Sequence, residues 1–205
     1  MMPMAPIVFV VVAYLLGSIS FAVVVSWCFG LPDPHTYGSG NPGATNVLRT
    51  GSKVAAALTL TGDAAKGVIA LWLANLLAPK FGVGEITLAA VVFAAFIGHL
   101  FPLYFRFKGG KGVSTAAGLL LALDVRIAGV ALLVWLMTIL ASRYSSAASM
   151  MAGLAAPVAT LYFLGWGPYV WTVLAMTVLL LWRHRGNIER LRNGTESRIR
   201  LSRGG

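Results

Sequence analysis

The chain has 205 residues, of which 58% are hydrophobic and only 11% are charged. Soluble domains carry a charge on about a quarter of their residues, so this composition, with a mean hydropathy of +0.81, excludes a soluble globular protein, a disordered chain and a secreted disulfide scaffold. The net charge of +10 in so apolar a chain indicates cytoplasmic loops and anionic lipid headgroups rather than nucleic acid.

Seven apolar segments follow one another along the chain. A helix that crosses a membrane needs about 20 mostly apolar residues. We therefore predict an all-α integral membrane protein with about seven transmembrane helices, some of them short, forming a single polytopic membrane domain over 1–205. The segments are 5–29, 54–78, 85–104, 113–123, 127–141, 147–164 and 169–182. The fourth and fifth are short for a full crossing, so whether they span the membrane stays open.

The distribution of basic residues predicts the orientation. Thirteen of the 16 Lys and Arg residues lie in four regions, which are 30–53, 105–115, 142–149 and the tail 183–205. With seven spans, these regions all fall on one side of the membrane. Because Lys and Arg accumulate in cytoplasmic loops, we expect the N-terminus outside and the C-terminus in the cytoplasm.

The first basic region contains a glycine-rich stretch, 37–49, that ends in Arg49. Its glycines free the backbone to turn N–H groups toward an anion, and the guanidinium adds a fork suited to phosphate. Neutral hydrogen-bond donors are Ser39, Asn41, Thr45 and Asn46. A helix that started near Ala44 would also direct its first amides at an anion. The alternative is an ordinary turn with an N-cap, but a turn needs only about four such residues.

The second basic region places three glycines around one lysine, Lys111, and then two hydroxyl residues, Ser114 and Thr115. This order of residues resembles that of a P-loop, but the Walker A spacing and a preceding strand are missing. We therefore predict binding of a single phosphate rather than of a nucleotide. A flexible, positively charged cytoplasmic loop is the alternative.

The basic tail combines a candidate site with a candidate lipid contact. His184, Asn187 and Arg190 are spaced by three residues and would share one side of a helical extension, although Gly186 lies within it. The alternative is a basic tail that binds anionic lipid headgroups. That alternative is strongest for Arg198, Arg200 and Arg203.

Two features lie inside the apolar segments. Asp63 and Lys66 are three residues apart in the second segment, where an unpaired charge costs about 2.5–3.5 kcal/mol. We predict that they form an ion pair that supports the site and that neither acts directly in catalysis. His99 ends the third segment, and we expect it to be a structural residue rather than a catalyst.

The residue content limits the chemistry. Only six Asp and Glu are present and they are not clustered, which disfavours a metal-dependent lipid phosphotransferase. Cys28 lies within a predicted span without an adjacent histidine, which disfavours thiol catalysis. The chemistry that remains is a reaction between two phosphate-bearing partners, driven by positioning them and neutralising their charge. A transporter or scramblase that binds lipid phosphate without chemistry is the other alternative.

Three segments resemble the cytoplasmic signature motifs of the bacterial acyl-phosphate:glycerol-3-phosphate acyltransferases. They are GSGNPGATNVLR at 38–49, GHLFPLYFRFKGGKGVSTAAG at 98–118 and RHRGNIERLRNGTE at 183–196. The GDAAKG pattern at 62–67 and the stretch 143–149 resemble that family as well, in the same order along the chain. The resemblance implies transfer of a fatty acyl group from acyl phosphate to the sn-1 hydroxyl of glycerol 3-phosphate, which forms lysophosphatidic acid for phospholipid synthesis.

The same resemblance implies a setting and partners. The enzyme would lie in the bacterial cytoplasmic (inner) membrane with its active site facing the cytoplasm. It would use no metal or other cofactor and would bind no nucleic acid. Its partners would be the two substrates, membrane lipids and a soluble enzyme that makes acyl phosphate.

The resemblance also implies roles for particular residues. Those implied to bind substrate are Ser39, Asn41, Thr45, Arg49, Lys111, Ser149, His184 and Asn187, and of these Ser39, Lys111, His184 and Asn187 would serve catalysis. The glycines implied to approach the acyl-phosphate head are Gly40, Gly43, Gly109, Gly110 and Gly112. The His-x4-Asp dyad of other glycerol-phosphate acyltransferases is not matched, because His184 is followed at that spacing by Glu189. We hypothesise that a substrate phosphate takes the hydroxyl proton, with His184 as a binder; the rival is His184 as general base.

Overall fold

A computed structural model describes residues 4–199 of the chain, and every regular element in that range is helical. The described α-helices are α1 Ala5–Gly17, α2 Phe21–Cys28, α3 Ala44–Val47, α4 Lys53–Phe81, α5 Glu85–Leu100, α6 Val113–Leu123, α7 Val125–Ser142, α8 Ser145–Leu164, α9 Pro168–Arg183 and α10 Arg185–Arg192. Short 3-10 turns follow α3 and α5. Arg200 and Arg203, which we predict to contact lipid, lie outside the described residues, as do 1–3 at the start of the predicted domain.

Within residues 4–199, four helical segments are long and apolar enough to cross a membrane: α4, Glu85–Phe105, α7 and α8. A fifth results if α1 and α2 form one bent span, whereas α6 and α9 are shorter apolar helices. The all-α prediction is confirmed for this part of the chain. The fifth predicted segment, 127–141, is longer than expected because α7 has 18 residues. The count of about seven spans and the orientation stay predictions.

The first predicted segment, 5–29, is not one continuous helix. It breaks after Gly17, and α1 and α2 meet at an angle of 41°. A break in an apolar segment frees backbone groups that lipid cannot satisfy. Here Lys66 of α4 donates from Nζ to the carbonyl oxygen of Ile19 at 2.6 Å, so a side chain distant in sequence stabilises the break. The apolar character of segment 5–29 does not predict this break.

The chain divides into two compact units, Met1–Asp124 and Val125–Gly205. In the first unit α1 packs against α5, and α4 packs against α6. The α4–α6 contact is close because both helices have glycine there: a Cβ on Gly118 would overlap the backbone of Ala64, and one on Gly67 would lie 2.7 Å from the Thr115 carbonyl oxygen. Small residues allow this approach in membrane helices, and it brings the start of α6 against the middle of α4.

In the second unit α8 packs against both α7 and α9, and α10 follows α9 directly. The Thr177 hydroxyl of α9 donates to the carbonyl oxygen of Gly153 in α8 at 2.8 Å. After α10 the chain returns to the turn between α7 and α8, where the backbone N–H of Ile199 donates to the Arg143 carbonyl oxygen at 2.8 Å. This return places Ile199 beside the turn that precedes α8.

Candidate active site

The first glycine-rich loop is held in shape by one buried amide, that of Asn46. Its Oδ1 accepts from the Ser39 backbone N–H at 3.0 Å, and its Nδ2 donates to the carbonyl oxygens of Pro34 at 2.9 Å and Tyr37 at 3.2 Å. A short helix, α3, does start at Ala44. Asn46 differs from our expectation, because its amide binds the loop itself and is only 2% exposed.

The other polar groups of this loop lie at its surface. Ser39, Thr45 and Arg49 are exposed, and Asn41 is half-buried. Gly38 has a φ of +59°, and a Cβ there would come within 3.0 Å of Arg49 Nη1. Glycine at this position therefore lets the arginine side chain lie close over the loop.

The second glycine-rich loop lies directly on the end of α5. The Gly110 N–H donates to the His99 carbonyl oxygen at 3.2 Å. A Cβ on Gly109 would overlap that same oxygen and would lie 2.5 Å from the carbonyl oxygen of Leu100. Gly109 and Gly110 are buried and Lys111 is half-buried. The loop ends at Gly112, which has a φ of +84° and precedes the first turn of α6.

Side-chain and backbone contacts join the two loops of this unit. His35 bonds through Nδ1 to Asp33 Oδ1 at 2.7 Å and through Nε2 to the Lys108 carbonyl oxygen at 2.9 Å. At a second point, a Cβ on Gly110 would lie 2.9 Å from the Pro42 carbonyl oxygen. The two phosphate-loop candidates therefore pack against each other.

Behind the loops lies the predicted ion pair, which is confirmed. Lys66 Nζ is 2.8 Å from Asp63 Oδ1, and both side chains are buried. The pair has further partners: Lys66 Nζ is 2.9 Å from His99 Nδ1, and the Thr115 hydroxyl donates to the Asp63 carbonyl oxygen at 2.9 Å. His99 is thus part of a buried polar network, and its structural role stays a prediction.

The second unit contains a cluster centred on the carboxylate of Glu196. Its Oε1 accepts from Ser146 Oγ and from Asn187 Nδ2, each at 2.6 Å, and its Oε2 accepts from Arg190 Nε at 2.7 Å. Burial of the Glu196 carboxyl raises its pKa, but these hydrogen bonds outweigh burial and hold the pKa below its ordinary value of 4.5. The carboxylate therefore fixes the side chains of Asn187 and Arg190, which the sequence placed on one side of a helix.

His184 lies at the junction of α9 and α10, and only 2% of it is exposed. Its Nδ1 is 2.8 Å from the carbonyl oxygen of Leu180. A carbonyl can only accept, so the ring proton lies on Nδ1 and the lone pair of the neutral ring lies on Nε2. In the same unit the hydroxyl of Ser149 donates to the Ser145 carbonyl oxygen at 2.8 Å.

The described residues, 4–199, contain no group of three or more His, Cys, Asp or Glu side chains that could hold a metal ion. Three carboxylates in that range are instead bound by protein donors. They are Asp33, Asp63 and Glu196.

Comparison with known proteins decides the family. The family model described as glycerol-3-phosphate acyltransferase matches residues 7–194. The chain belongs to the glycerol-3-phosphate acyltransferase family. A glycerol-3-phosphate acyltransferase of Ralstonia nicotianae is 56% identical over 195 residues, which is 95% of this chain and 94% of that one. One of Burkholderia lata is 56% identical over 190 residues, which is 92% of this chain and 88% of that one.

Solved structures agree with this assignment. One of them is the crystal structure of PlsY (YgiH), an integral membrane glycerol 3-phosphate acyltransferase, in its glycerol 3-phosphate form. It matches this chain with a TM-score of 0.87 and 38% sequence identity, and the match covers 96% of both chains. Its lysophosphatidic acid form has a TM-score of 0.85 and 37% identity, with the same coverage. With the apolar helices above, these similarities make this acyltransferase a multi-pass membrane protein. Membership in an acyltransferase family favours acyl transfer over the transporter and phosphotransferase alternatives.

Two residues of the acyltransferase that organise its site regions, Glu196 and Ser146, are not among the predicted site residues. Glu196 is one of two acidic residues in a tail with seven arginines, which is a usable signal for an ion pair. Ser146 gives no such signal, because its partner Glu196 is 50 residues away.

We expect Glu196→Gln to destabilise the acyltransferase by about 1–3 kcal/mol, because two buried donors, Ser146 and Asn187, lose a charged acceptor. A carboxyl with a lowered pKa adds stability above its ordinary pKa, and that stability is lost as the pH falls through the lowered value. Melting in detergent should therefore show a lower melting temperature for the variant at pH 7 and a smaller difference in acid. Glu189→Gln, which removes an equal charge from an exposed position, is the matched control. Equal melting temperatures for both variants at pH 7 would contradict the stabilising role.

Proposed function

We propose that this acyltransferase takes its acyl group from acyl phosphate and transfers it to the sn-1 hydroxyl of glycerol 3-phosphate, without a metal ion. The observation that supports this most is the second glycine-rich loop, where the buried backbone of Gly109 and Gly110 lies beside Lys111. Glycines let the backbone of a loop approach a phosphate closely, and a lysine adds a positive charge. PlsY structures with glycerol 3-phosphate and lysophosphatidic acid support the acceptor and the product.

The reaction is balanced without a further reactant. The sn-1 hydroxyl oxygen attacks the acyl carbon, a C–O ester bond forms, and the C–O bond to the phosphate of the mixed anhydride breaks. Inorganic phosphate leaves, and the hydroxyl proton ends on it. Because phosphate is a good leaving group, the enzyme needs to neutralise charge, exclude water and align the hydroxyl rather than form a covalent intermediate.

In the first unit, we assign the acyl-phosphate head to the backbone of Gly40, Gly43, Gly109, Gly110 and Gly112. Arg49 and Lys111 neutralise phosphate charge. Asn41 and Thr45 orient groups in the first loop, and Ser39 binds substrate. The exposure of Ser39, Thr45 and Arg49 supports these assignments, since each side chain is accessible.

In the second unit, we assign binding of glycerol 3-phosphate to Ser149, His184 and Asn187. The Glu196 cluster supports this, because its carboxylate accepts from one N–H of the Asn187 amide and so orients the other amide atoms. The tautomer of His184, with its lone pair on Nε2 when neutral, fits a ring that accepts from a substrate hydroxyl.

We place the enzyme in the bacterial cytoplasmic (inner) membrane with its active site facing the cytoplasm. The basic regions 30–53, 105–115, 142–149 and 183–205 support this orientation, since they contain most of the Lys and Arg. Acyl phosphate would then come from a soluble enzyme in the cytoplasm.

A reconstituted assay tests the proposal. Purified protein with acyl phosphate and glycerol 3-phosphate should form lysophosphatidic acid at the same rate with and without EDTA. The Lys111→Gln variant should lose about 10- to 100-fold in kcat/KM, because a charged hydrogen bond is removed, whereas Lys108→Gln, an exposed neighbour in the same loop, should retain activity. Activity with acyl-CoA but not with acyl phosphate would overturn the donor, and loss with EDTA would overturn the metal-free reaction.

A further inference from the structure

The buried network of α4 and α5 uses all the hydrogen-bonding capacity of one lysine. The Lys66 amino group has three acceptors within hydrogen-bond distance. They are the Ile19 carbonyl oxygen at 2.6 Å, Asp63 Oδ1 at 2.8 Å and His99 Nδ1 at 2.9 Å. An ammonium group has three N–H donors and no acceptor, so this arrangement matches a charged lysine paired with Asp63.

The lysine determines the tautomer of His99. Because an ammonium only donates, His99 Nδ1 accepts from Lys66, and the proton of the neutral ring lies on Nε2. Asp63 Oδ1 is also near Nδ1, but the distance of 3.6 Å is too long for a hydrogen bond. The ring therefore carries its N–H on the side away from the ion pair.

That side of the ring faces the glycine loop. A Cβ on Gly110 would overlap His99 Nε2 and would lie 2.9 Å from the carbonyl oxygen of Pro42. The backbone of His99 contacts the loop as well, since its carbonyl oxygen accepts from the Gly110 N–H at 3.2 Å. His99 thus touches the second loop through its ring and its backbone, at the point where the first loop approaches.

We infer that His99 is a positioning residue for the acyl donor, held in one tautomer by Lys66 and Asp63. Its ring sets the position of Gly110, and with it the path of the loop backbone beside Lys111. The inference rests on the proposed function in one respect, which is that the ligand of this loop is the acyl-phosphate head. An effect confined to the affinity for acyl phosphate is what distinguishes positioning from general support of the fold.

Two substitutions of His99 test this. His99→Gln retains an acceptor and an N–H donor at this position, whereas His99→Leu has neither. His99→Leu should therefore have a KM for acyl phosphate that is raised about tenfold and an unchanged KM for glycerol 3-phosphate. His99→Gln should have KM values close to those of the wild type. Thr59→Val is the matched control, because it removes a buried hydroxyl from α4 whose bond goes to its own helix.

Several outcomes would overturn the inference. In one such outcome, the KM values for acyl phosphate and glycerol 3-phosphate rise equally in His99→Leu. In another, kcat falls in parallel with the melting temperature. Either result would mean that His99 has only a structural role. A His99→Gln variant as impaired as His99→Leu would do the same.

A substrate-free measurement separates failure of this inference from failure of the proposed function. In 15N-histidine-labelled protein, the ring signals of His99, assigned by their loss in His99→Gln, should show the proton on Nε2. A double Asp63→Leu, Lys66→Met variant should change those signals. A proton on Nδ1 in the wild type would overturn the inference even if acyl phosphate is the donor. If acyl phosphate gives no product, the donor is wrong, and the tautomer result still decides whether Lys66 fixes the ring.

Discussion

Gly109→Ala is expected to lower kcat/KM by about 100-fold, since a displacement of about 1 Å at a catalytic site has effects of that size. The added Cβ would overlap the His99 carbonyl oxygen and would lie 2.5 Å from that of Leu100. Both atoms belong to the backbone at the end of α5 and cannot rotate away, so the second loop must move. The measurement is steady-state kinetics on purified protein with both substrates.

Gly129→Ala is the matched control for this substitution. Gly129 lies within α7, and a Cβ there would have no atom within 4 Å among its neighbours. Alanine also favours a helix over glycine by about 1 kcal/mol, so this variant should be as active and at least as stable as wild type. A Gly109→Ala enzyme with wild-type kinetics would mean that the position of the second loop does not limit the reaction.

Much of the fold could be predicted because it depends on local sequence. Long apolar runs indicated every helix of ten or more residues, and the bounds predicted for α6, 113–123, match the structure. The ion pair of Asp63 and Lys66 could be predicted as well, because two charges three residues apart in an apolar helix must satisfy each other.

The features that the sequence did not reveal depend on contacts between distant residues. The break between α1 and α2 is stabilised by Lys66, which is 47 residues beyond Ile19. The Glu196 cluster joins the tail to Ser146. Asn46 was expected to be a hydrogen-bond donor for a ligand because it lies in the glycine-rich loop. Whether its amide binds a ligand or its own loop depends on burial, which a single sequence does not show.

His184→Gln is expected to lower kcat/KM by about 10- to 100-fold through loss of a hydrogen bond to substrate, while the shape of the pH–rate profile is retained. The reason is the hypothesis that a substrate phosphate takes the hydroxyl proton. Phosphate monoesters have a second pKa of about 6, so the titration would belong to the substrates and would persist without the histidine. The measurement is kcat against pH for both enzymes at saturating substrate.

The rival mechanism has a different signature in the same experiment. If Nε2 of His184 takes the proton, the variant should lose a titration near the histidine pKa of about 6.5, and kcat should fall by about 100- to 10,000-fold, the usual contribution of general base catalysis. The bond from Nδ1 to the Leu180 carbonyl fits both mechanisms, because a lone pair on Nε2 serves a base and a hydrogen-bond acceptor equally well. What separates them is where the proton is at the transition state, and the pH dependence of kcat reports on that directly.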